Sequence, residues 1–253
     1  MTKIILCGCN GKMGQKITAL ASEDSEATII AGVDTFSGIS NTYSVYPSID
    51  AVTEKADVII DFSHPNALDN LIKYSVKNLI PIVICTTGHT EAQKVLIEEA
   101  KGKVAVFKSG NMSLGINLLM NLVAQSARTL EGLFDIEIVE KHHNKKIDAP
   151  SGTALMLADA MNEALEKKCD YVFERESTRE RRTATEIGIH SVRGGTIVGE
   201  HSIIFAGNDE IIEIKHTALS RDVFAVGALR AAKFMKEKSN GLYSMKNIIE
   251  EEI

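Results

Sequence analysis

The stretch Ile4-Ile5-Leu6-Cys7-Gly8-Cys9-Asn10-Gly11-Lys12-Met13-Gly14 decides the fold of the first half of the chain. Its apolar start predicts a buried strand, and apolar positions from Met13 onward recur at helical spacing. Glycines at positions 8, 11 and 14 directly follow this strand and open the helix. Such glycines permit a tight turn and let the backbone approach a pyrophosphate, while the helix N-terminus attracts phosphate. By itself, the motif is equally compatible with an ordinary glycine-rich turn.

An acidic residue at the end of the next strand favours a dinucleotide site over that alternative. Asp34 follows the glycine turn by about 20 residues, where a carboxylate accepts hydrogen bonds from the adenosine ribose. A carboxylate also repels the 2′-phosphate of NADPH, and Thr35 beside it carries no positive charge. Lys12 in the glycine turn offsets part of this repulsion. We therefore predict NADH and/or NADPH as the cofactor, with NADH used at least as well as NADPH.

The rest of the first half repeats the alternation of strand and helix. Short apolar runs predict strands, and amphipathic stretches between them predict helices. Strands are predicted at Thr28–Val33, Val58–Asp61, Pro81–Cys85 and Val104–Phe107, and helices at Asn66–Lys77 and Glu91–Ala100. This alternation is typical of βαβ units and a parallel sheet.

After about Asn111 the pattern changes. Predicted helices at Leu114–Ala127 and Thr153–Lys167 flank a strand at Asp135–Lys141. Three strands then follow without intervening helices, which favours antiparallel or mixed pairing, and a last helix is predicted to close the chain. These elements are Ile187–Val192, Glu200–Phe205, Glu210–Thr217 and Val223–Met235. The charged stretch Glu174–Arg182 is either a solvated mobile loop or a loop that closes over an anionic ligand.

Composition limits the classes of function. The chain has 253 residues and a net charge of -6, which argues against a general nucleic-acid binder but not against binding small anions. Four cysteines form no C-x-x-C pair and show no metal-site spacing. The N-terminus carries no signal-peptide core, and no apolar run reaches membrane-spanning length. We therefore expect a cytoplasmic protein without nucleic-acid or membrane partners.

The segment Glu140-Lys141-His142-His143-Asn144-Lys145-Lys146-Ile147-Asp148-Ala149-Pro150-Ser151-Gly152-Thr153-Ala154 concentrates reactive side chains. Ser151-Gly152-Thr153 predicts a helix start whose free N–H groups can hold a carboxylate. His142, His143 and Lys146 add proton donors and positive charge beside it, and a histidine can act as general acid near neutral pH.

Three alternatives compete for this segment. Adjacent strand residues point to opposite faces, so His142 and His143 are poor joint ligands and no metal site is predicted. A solvated basic loop remains open. A nucleic-acid patch conflicts with the acidic balance and the scarcity of aromatic residues.

Glu140 through Ala154 resembles, without a gap, the E-x-H-H-x-x-K-x-D-A-P-S-G-T-A signature of the 4-hydroxy-tetrahydrodipicolinate (dihydrodipicolinate) reductase family. Other segments are similar to this family in the same order, so the resemblance spans nearly the whole chain. They are Gly8–Gly14, Asp61–Ser63, Thr86–Gly88, Asn111–Gly115, Ser191–Gly195 and Val198–His201. Lys12 stands where arginine is frequent in the family, and Cys85 where glycine is usual.

The resemblance implies an α/β protein of two domains. Residues 1–112 and 221–253 would form a Rossmann-like dinucleotide-binding domain. Residues 113–220 would form an α+β domain with an open mixed sheet, which binds substrate and assembles a homotetramer. The implied activity is NAD(P)H-dependent reduction of 4-hydroxy-tetrahydrodipicolinate, a small dicarboxylate, in diaminopimelate and lysine biosynthesis.

The resemblance also implies roles for individual residues. His142 would donate the proton, with Lys146 beside it, and His143, Lys146, Ser151, Gly152 and Thr153 would bind the substrate. The implied cofactor-binding residues are Gly8, Cys9, Asn10, Gly11, Lys12, Met13, Asp34, Cys85, Thr86, Thr87, Ser109, Gly110, Asn111 and Met112.

Two other functions remain as alternatives. A redox-sensing regulator would bind NADH without turnover, which explains the glycine turn and leaves the histidine segment without a role. The second is another NAD(P)-dependent enzyme, such as a semialdehyde or amino-acid dehydrogenase. A semialdehyde dehydrogenase that works by acylation would need a nucleophilic cysteine outside the nucleotide-binding half, and Cys169 is the candidate there.

Overall fold

The computed structural model describes residues 1–177 and 179–251, and these form two compact units. One unit comprises Met1–Ser113 and Asp222–Ile253, and the other comprises Leu114–Arg221. Thr178, inside the charged stretch, and Glu252 and Ile253, inside the predicted nucleotide-binding domain, lie outside the described residues. No helix among the described residues is long and apolar enough to cross a membrane.

Strands and helices alternate through the first unit, whereas strands dominate the second. In chain order the elements are β1 (Thr2–Cys7), α1 (Lys12–Glu23), β2 (Ala27–Val33), β3 (Ser44–Tyr46), β4 (Val58–Asp61), α2 (Leu68–Asn78), β5 (Ile82–Ile84), α3 (Glu91–Ala100), β6 (Ala105–Lys108), α4 (Leu114–Leu130), β7 (Asp135–His142), α5 (Gly152–Ala164), β8 (Asp170–Val172), β9 (Glu186–Arg193), β10 (Gly199–Ala206), β11 (Ile211–Ala218), α6 (Asp222–Met235), β12 (Gly241–Tyr243) and α7 (Met245–Glu251). Single 3₁₀ turns lie at Ile49–Ala51 and Pro65–Ala67.

The first unit is built on a parallel sheet. In the described residues its strand order is β12-β6-β5-β4-β1-β2-β3, and each neighbouring pair is parallel. Every residue of β4 is buried, because helices cover the sheet on both faces. The predicted Rossmann-like α/β class is confirmed.

The last helix does not close the chain, so that prediction is wrong. After α6, the short strand β12 pairs in parallel with β6 and the helix α7 follows. Gly241-Leu242-Tyr243 is too short to show a strand pattern, and Leu242 is 41% exposed. Its strand conformation comes from hydrogen bonding to the sheet edge, which no local pattern reports. The same reason explains why β3 and β8, each of three residues, were not predicted.

The second unit is built on a mixed sheet. Its described strands are ordered β11-β10-β7-β9-β8. β10 pairs antiparallel with β7 and β11, whereas β9 pairs in parallel with β7 and β8. The predicted mixed sheet is confirmed.

Helices α4 and α5 pack together and against this sheet. On β7 the buried residues alternate with partly exposed ones, so Ile136, Ile138, Glu140 and His142 share the buried side. The ionisable side chains of Glu140 and His142 therefore lie on the same face of β7 as the apolar core.

Helix α5 ends three residues earlier than predicted. It ends at Ala164, and Leu165 is already extended. The carboxylate of Glu131 accepts hydrogen bonds from the backbone N–H groups of Glu166 and Lys167, at 3.0 and 2.9 Å. These N–H groups have a tertiary partner in place of a helical one, which the helical periodicity of the sequence does not reveal.

Candidate active site

The glycine turn of the first unit is closely packed at both ends. Gly8 has a φ of +77°, and a Cβ added there would lie 2.4 Å from the carbonyl oxygen of Phe62. A Cβ on Gly14 would lie 2.2 Å from the carbonyl oxygen of Gly8. Gly11 is different, because its nearest neighbour would be 3.3 Å away. Gly8 and Gly14 thus shape the turn, while Gly11 leaves the start of α1 open to an approaching anion.

Asp34 is anchored beside this turn. Its carboxylate accepts hydrogen bonds from the backbone N–H groups of Asn10 and Phe36, each at 2.9 Å. The side-chain oxygen of Asn10 in turn accepts from Asn41 Nδ2 at 2.8 Å. The acid and the glycine turn are therefore held together as one structure.

A cavity of about 400 Å³ opens between them, which is in the size range of small-molecule sites. It lies where β1, β2 and β4 end, the edge at which an open parallel sheet takes its ligand. Its lining is Cys7, Gly8, Gly11, Val33, Asp34, Thr35, Pro47, Ser48, Ile49, Phe62, Ser63, His64, Ala67, Asn70 and Leu71. The mainly apolar walls, the acid and the open helix start fit an adenine nucleotide.

The other predicted cofactor residues follow neighbouring strands. Cys85-Thr86-Thr87 comes directly after β5, and Ser109–Met112 comes directly after β6, so both lie at the same edge of the sheet as the glycine turn. Ser109 Oγ donates to the carbonyl of Asn111 at 2.9 Å. The side chain of Cys9 is fully buried, which leaves only its backbone for a ligand.

A buried carboxylate lies at the centre of the second unit's site. Glu140 is fully buried on β7. Its carboxylate accepts hydrogen bonds from both terminal nitrogens of Arg193 on β9, at 2.8 and 2.7 Å. The backbone N–H of Ser151 donates to it at 3.1 Å. Burial alone would raise the pKa of Glu140, but hydrogen bonds from Arg193, His142 and Ser151 lower it to about 2. Glu140 is therefore ionised at neutral pH.

His142 lies beside this carboxylate. Its Nδ1 is 2.6 Å from Glu140 Oε2, and the residue is 9% exposed. The ring of His201 from β10 packs edge-on against it, with ring centroids 5.2 Å apart. A Cβ added to Gly199 would lie 3.1 Å from His142 Nε2, so that glycine keeps the space beside Nε2 open.

His201 is a buried neutral histidine. Burial, followed by the positive charge of His142, lowers its pKa to about 4. Its Nε2 is 3.2 Å from Ser151 Oγ, which also accepts the backbone N–H of Ala154 and so caps α5. His201 and Ser151 thereby join the sheet to the start of the helix.

The exposed end of α5 is surrounded by basic groups. A Cβ on Gly152 would meet nothing within 4 Å. Lys146 Nζ lies 2.8 Å from the exposed carboxylate of Asp148, and Arg221 Nη2 lies 3.5 Å from His143 Nε2. An open helix N-terminus with nearby cations is a site for a carboxylate. Of the five predicted substrate-binding positions, Ser151, Gly152 and Thr153 form the helix start, and Lys146 and His143 lie on the segment that leads into it.

The sequence predictions gave no role to three residues of this site, namely Glu140, Arg193 and His201. Alternation along β7 could have identified Glu140, because it places that acid on the same side as Ile136 and Ile138, and a buried carboxylate requires a partner. Arg193 could be identified only from the register of β9 on β7, in which Arg193 lies opposite His142. Nothing in the sequence gives that register.

Two arginines of the charged stretch Glu174–Arg182 form ion pairs with carboxylates of β7. Arg175 and Arg182 both donate to Glu137 on β7, at 2.9 and 3.0 Å, and Arg182 also reaches Asp135. These two arginines are thus engaged by protein carboxylates. Cys169 does not resemble an activated nucleophile either, because burial raises the pKa of its thiol.

Comparison with known families covers both units. The family model described as dihydrodipicolinate reductase, N-terminus, matches residues 2–112. The family model described as dihydrodipicolinate reductase, C-terminus, matches residues 115–249.

Individual relatives agree over the full length. The chain is 53% identical to 4-hydroxy-tetrahydrodipicolinate reductase of Caldanaerobacter subterraneus subsp. tengcongensis, with 98% of each chain covered. It is 48% identical to the reductase of the same name from Clostridium tetani, with 97% of this chain and 96% of the other covered. A solved structure of dipicolinate-bound dihydrodipicolinate reductase from Paenisporosarcina sp. TG-14 superposes with a TM-score of 0.80 at 26% identity, covering 98% of this chain and 99% of that one.

Proposed function

Because the chain belongs to the dihydrodipicolinate reductase family, we propose that His142 supplies the proton in the reduction that the chain catalyses. That reaction is the NAD(P)H-dependent reduction of 4-hydroxy-tetrahydrodipicolinate to tetrahydrodipicolinate, in diaminopimelate and lysine biosynthesis. A hydride and a proton are added to the ring, and the 4-hydroxyl leaves as water.

The proposed role of His142 as proton donor is supported by the surroundings of its two ring nitrogens. Its Nδ1 lies 2.6 Å from a buried ionised carboxylate, while Gly199 leaves open the space beside its other ring nitrogen. A carboxylate on one ring nitrogen stabilises the protonated ring, so the histidine can hold a proton and release it to an intermediate. Lys146 adds positive charge near the same helix start. It would assist His142 by stabilising the negative charge that develops on the intermediate.

The substrate is a small dicarboxylate, and we assign its binding to the start of α5. Ser151, Gly152 and Thr153 offer backbone N–H groups, and His143 and Lys146 offer charged or neutral donors. The Asp148 carboxylate that pairs with Lys146 is exposed to solvent, which weakens the ion pair, so a substrate carboxylate can take the place of Asp148.

The cofactor is NADH or NADPH, and the nicotinamide supplies the hydride when it is bound. The residues proposed to hold it are the glycine turn, Asp34, and the segments that follow β5 and β6. The cavity between Gly11 and Asp34 supports this assignment, because it offers an apolar wall for adenine and an acid for the ribose. The first unit would then be the dinucleotide-binding domain, and the second would bind the substrate.

We further propose a cytoplasmic homotetramer, as the family resemblance implies. The exposed apolar side chains Val192 and Ile211 on the five-stranded sheet, 43% and 70% exposed, support a subunit contact there. Light scattering coupled to size-exclusion chromatography should give four times the chain mass. A monomeric mass would contradict the assembly without affecting the assigned reaction.

The reaction is tested by following nicotinamide oxidation with the purified protein. The substrate is generated in situ from pyruvate and aspartate semialdehyde by the preceding aldolase. Rapid oxidation that depends on the aldolase is the expected result. NADH binding without turnover would instead favour a redox sensor or another reductase.

A further inference from the structure

We propose that Glu140 is a positioning residue that holds His142 with its proton on Nδ1, so that Nε2 is the nitrogen that exchanges a proton with the substrate, and that Arg193 fixes Glu140 in this orientation. The inference rests on the proposed role of His142 and names the partner and the ring nitrogen through which it acts.

The assignment of the ring nitrogen follows from the acceptor. An ionised carboxylate has no proton to donate, so the 2.6 Å contact with Glu140 requires that His142 Nδ1 carries the hydrogen. No hydrogen bond within residues 1–177 and 179–251 engages Nε2. In the neutral ring, Nε2 therefore holds the free lone pair, and after protonation it holds the transferable proton.

Arg193 accounts for the rigidity of this arrangement. Its two terminal nitrogens contact the two oxygens of Glu140 as a fork, and one of them also donates to the carbonyl of Asp148 at 2.6 Å. The backbone N–H of Ser151 occupies a further acceptor position on the carboxylate. Since β9, the segment before α5 and β7 all contribute, the carboxylate cannot rotate without losing several hydrogen bonds.

The other titratable groups around His142 do not compete for Glu140. His201 faces the ring from β10, but its low pKa keeps it neutral and its Nε2 is engaged with Ser151. His216 on β11 faces His201 across the strand pair, and burial lowers its pKa too. Lys146 lies on the loop after β7 and pairs with Asp148. The basic side chains that contact the carboxylate itself are therefore Arg193 and His142.

The decisive measurement is the tautomer of His142 by nitrogen NMR of the full-length protein labelled with ¹⁵N-histidine. The chain has seven histidines, and the His142→Asn variant identifies the signal of His142. Above the titration of the ring, wild type should show a protonated Nδ1 and an unprotonated Nε2. The opposite tautomer in wild type would overturn the proposal, whatever the variants do.

The variant Glu140→Gln tests the functional consequence. An amide can present either N–H or C=O to Nδ1, and it offers no charge to the protonated ring. We expect mixed tautomers and a fall in kcat of roughly 10²-fold or more, the direction seen when an amide replaces the carboxylate of a catalytic triad. The KM for the nicotinamide cofactor should not change, because that site lies in the other unit. Arg193→Lys keeps the charge but loses the fork, so it should give a smaller loss in kcat.

Glu137→Gln is the matched control. Glu137 lies on the same strand, three residues away on the opposite face, and it also contacts arginines and a histidine, His190 at 2.7 Å. This variant should leave the His142 tautomer and kcat unchanged. Wild-type kcat in Glu140→Gln would contradict the proposal. Absence of aldolase-dependent turnover by wild type would instead remove the proposed function and leave the tautomer result standing.

Discussion

His142 is the residue on which the proposed chemistry depends most directly. Replacing it with alanine removes the proton donor and leaves the cofactor site in the first unit untouched. We expect kcat to fall by roughly 10²–10⁴-fold, the usual contribution of a positioned general acid. Steady-state kinetics with the aldolase-coupled substrate measures this. His190→Ala, which removes another histidine bound to a β7 glutamate, is the control and should keep its kcat. An unchanged kcat in His142→Ala would exclude His142 as the donor.

We propose that Asp34 sets the preference between the two nicotinamide cofactors. Its carboxylate is held against the glycine turn by two backbone N–H groups, where it would meet either the ribose hydroxyls or the 2′-phosphate. Wild type should therefore use NADH at least as efficiently as NADPH. Asp34→Asn removes the repulsion and weakens the ribose contact, so the ratio of kcat/KM for NADH over NADPH should fall by about 10-fold, as for loss of one charged hydrogen bond. A wild-type enzyme that is far more efficient with NADPH would contradict this reasoning.

At the scale of elements, alanine substitutions at two glycines of the same turn should have different effects, one on stability and the other on NADH binding. Gly14→Ala forces a methyl group to 2.2 Å from the Gly8 carbonyl, so the free energy of unfolding should fall by about 1–3 kcal/mol. Gly11 has extended backbone with φ of -73° and more space, so Gly11→Ala should fold normally. It should nevertheless weaken NADH binding, because the methyl group stands where a pyrophosphate approaches α1.

Urea unfolding and NADH fluorescence titration of the two variants separate these effects. A Gly11→Ala protein that binds NADH as tightly as wild type would place the pyrophosphate elsewhere. A Gly14→Ala protein with wild-type stability would show that the turn can shift to admit the methyl group.

At the scale of the whole molecule, stability should fall in acid in two steps. Burial lowers the pKa of His201 from 6.5 to about 4, so the unfolded chain binds this proton first and stability declines as the pH falls from 6.5 toward 4. The pKa of Glu140 is lowered from 4.5 to about 2, so its contribution is complete above pH 4.5 and is lost toward pH 2. Each step is on the order of 3 kcal/mol.

Urea unfolding at a series of pH values measures both steps. His201→Asn should flatten the curve between pH 6.5 and about 5, even if it lowers stability overall through the lost contact with Ser151. The slope is therefore the test, not the absolute stability. A slope in this variant equal to that of wild type would assign the upper step to another group.

Local patterns in the sequence predicted most of the architecture. Apolar runs and helical periodicity are properties of neighbouring residues, so β1, β4, α1 and the individual strands β7, β9, β10 and β11 could be recognised directly. The glycine turn with Asp34 predicted a nucleotide site for the same reason, because its chemistry lies within one βαβ unit. The segment from His142 to Thr153 likewise carries its basic residues and helix start in one continuous stretch.

Only the tertiary structure decided which partners these residues have. Arg193 contacts Glu140 because β9 pairs with β7 in one particular register, and His201 contacts His142 because β10 pairs on the other side. The edge strand β12 depends in the same way on its pairing with β6. Strand register and the ends of α5 are set by contacts between distant residues, and such contacts leave no periodic signal in a single sequence. The sequence by itself therefore determined where along the chain the glycine turn, the histidine pair and the helix start lie. The fold determined that the buried carboxylate, the arginine and the histidine contact one another.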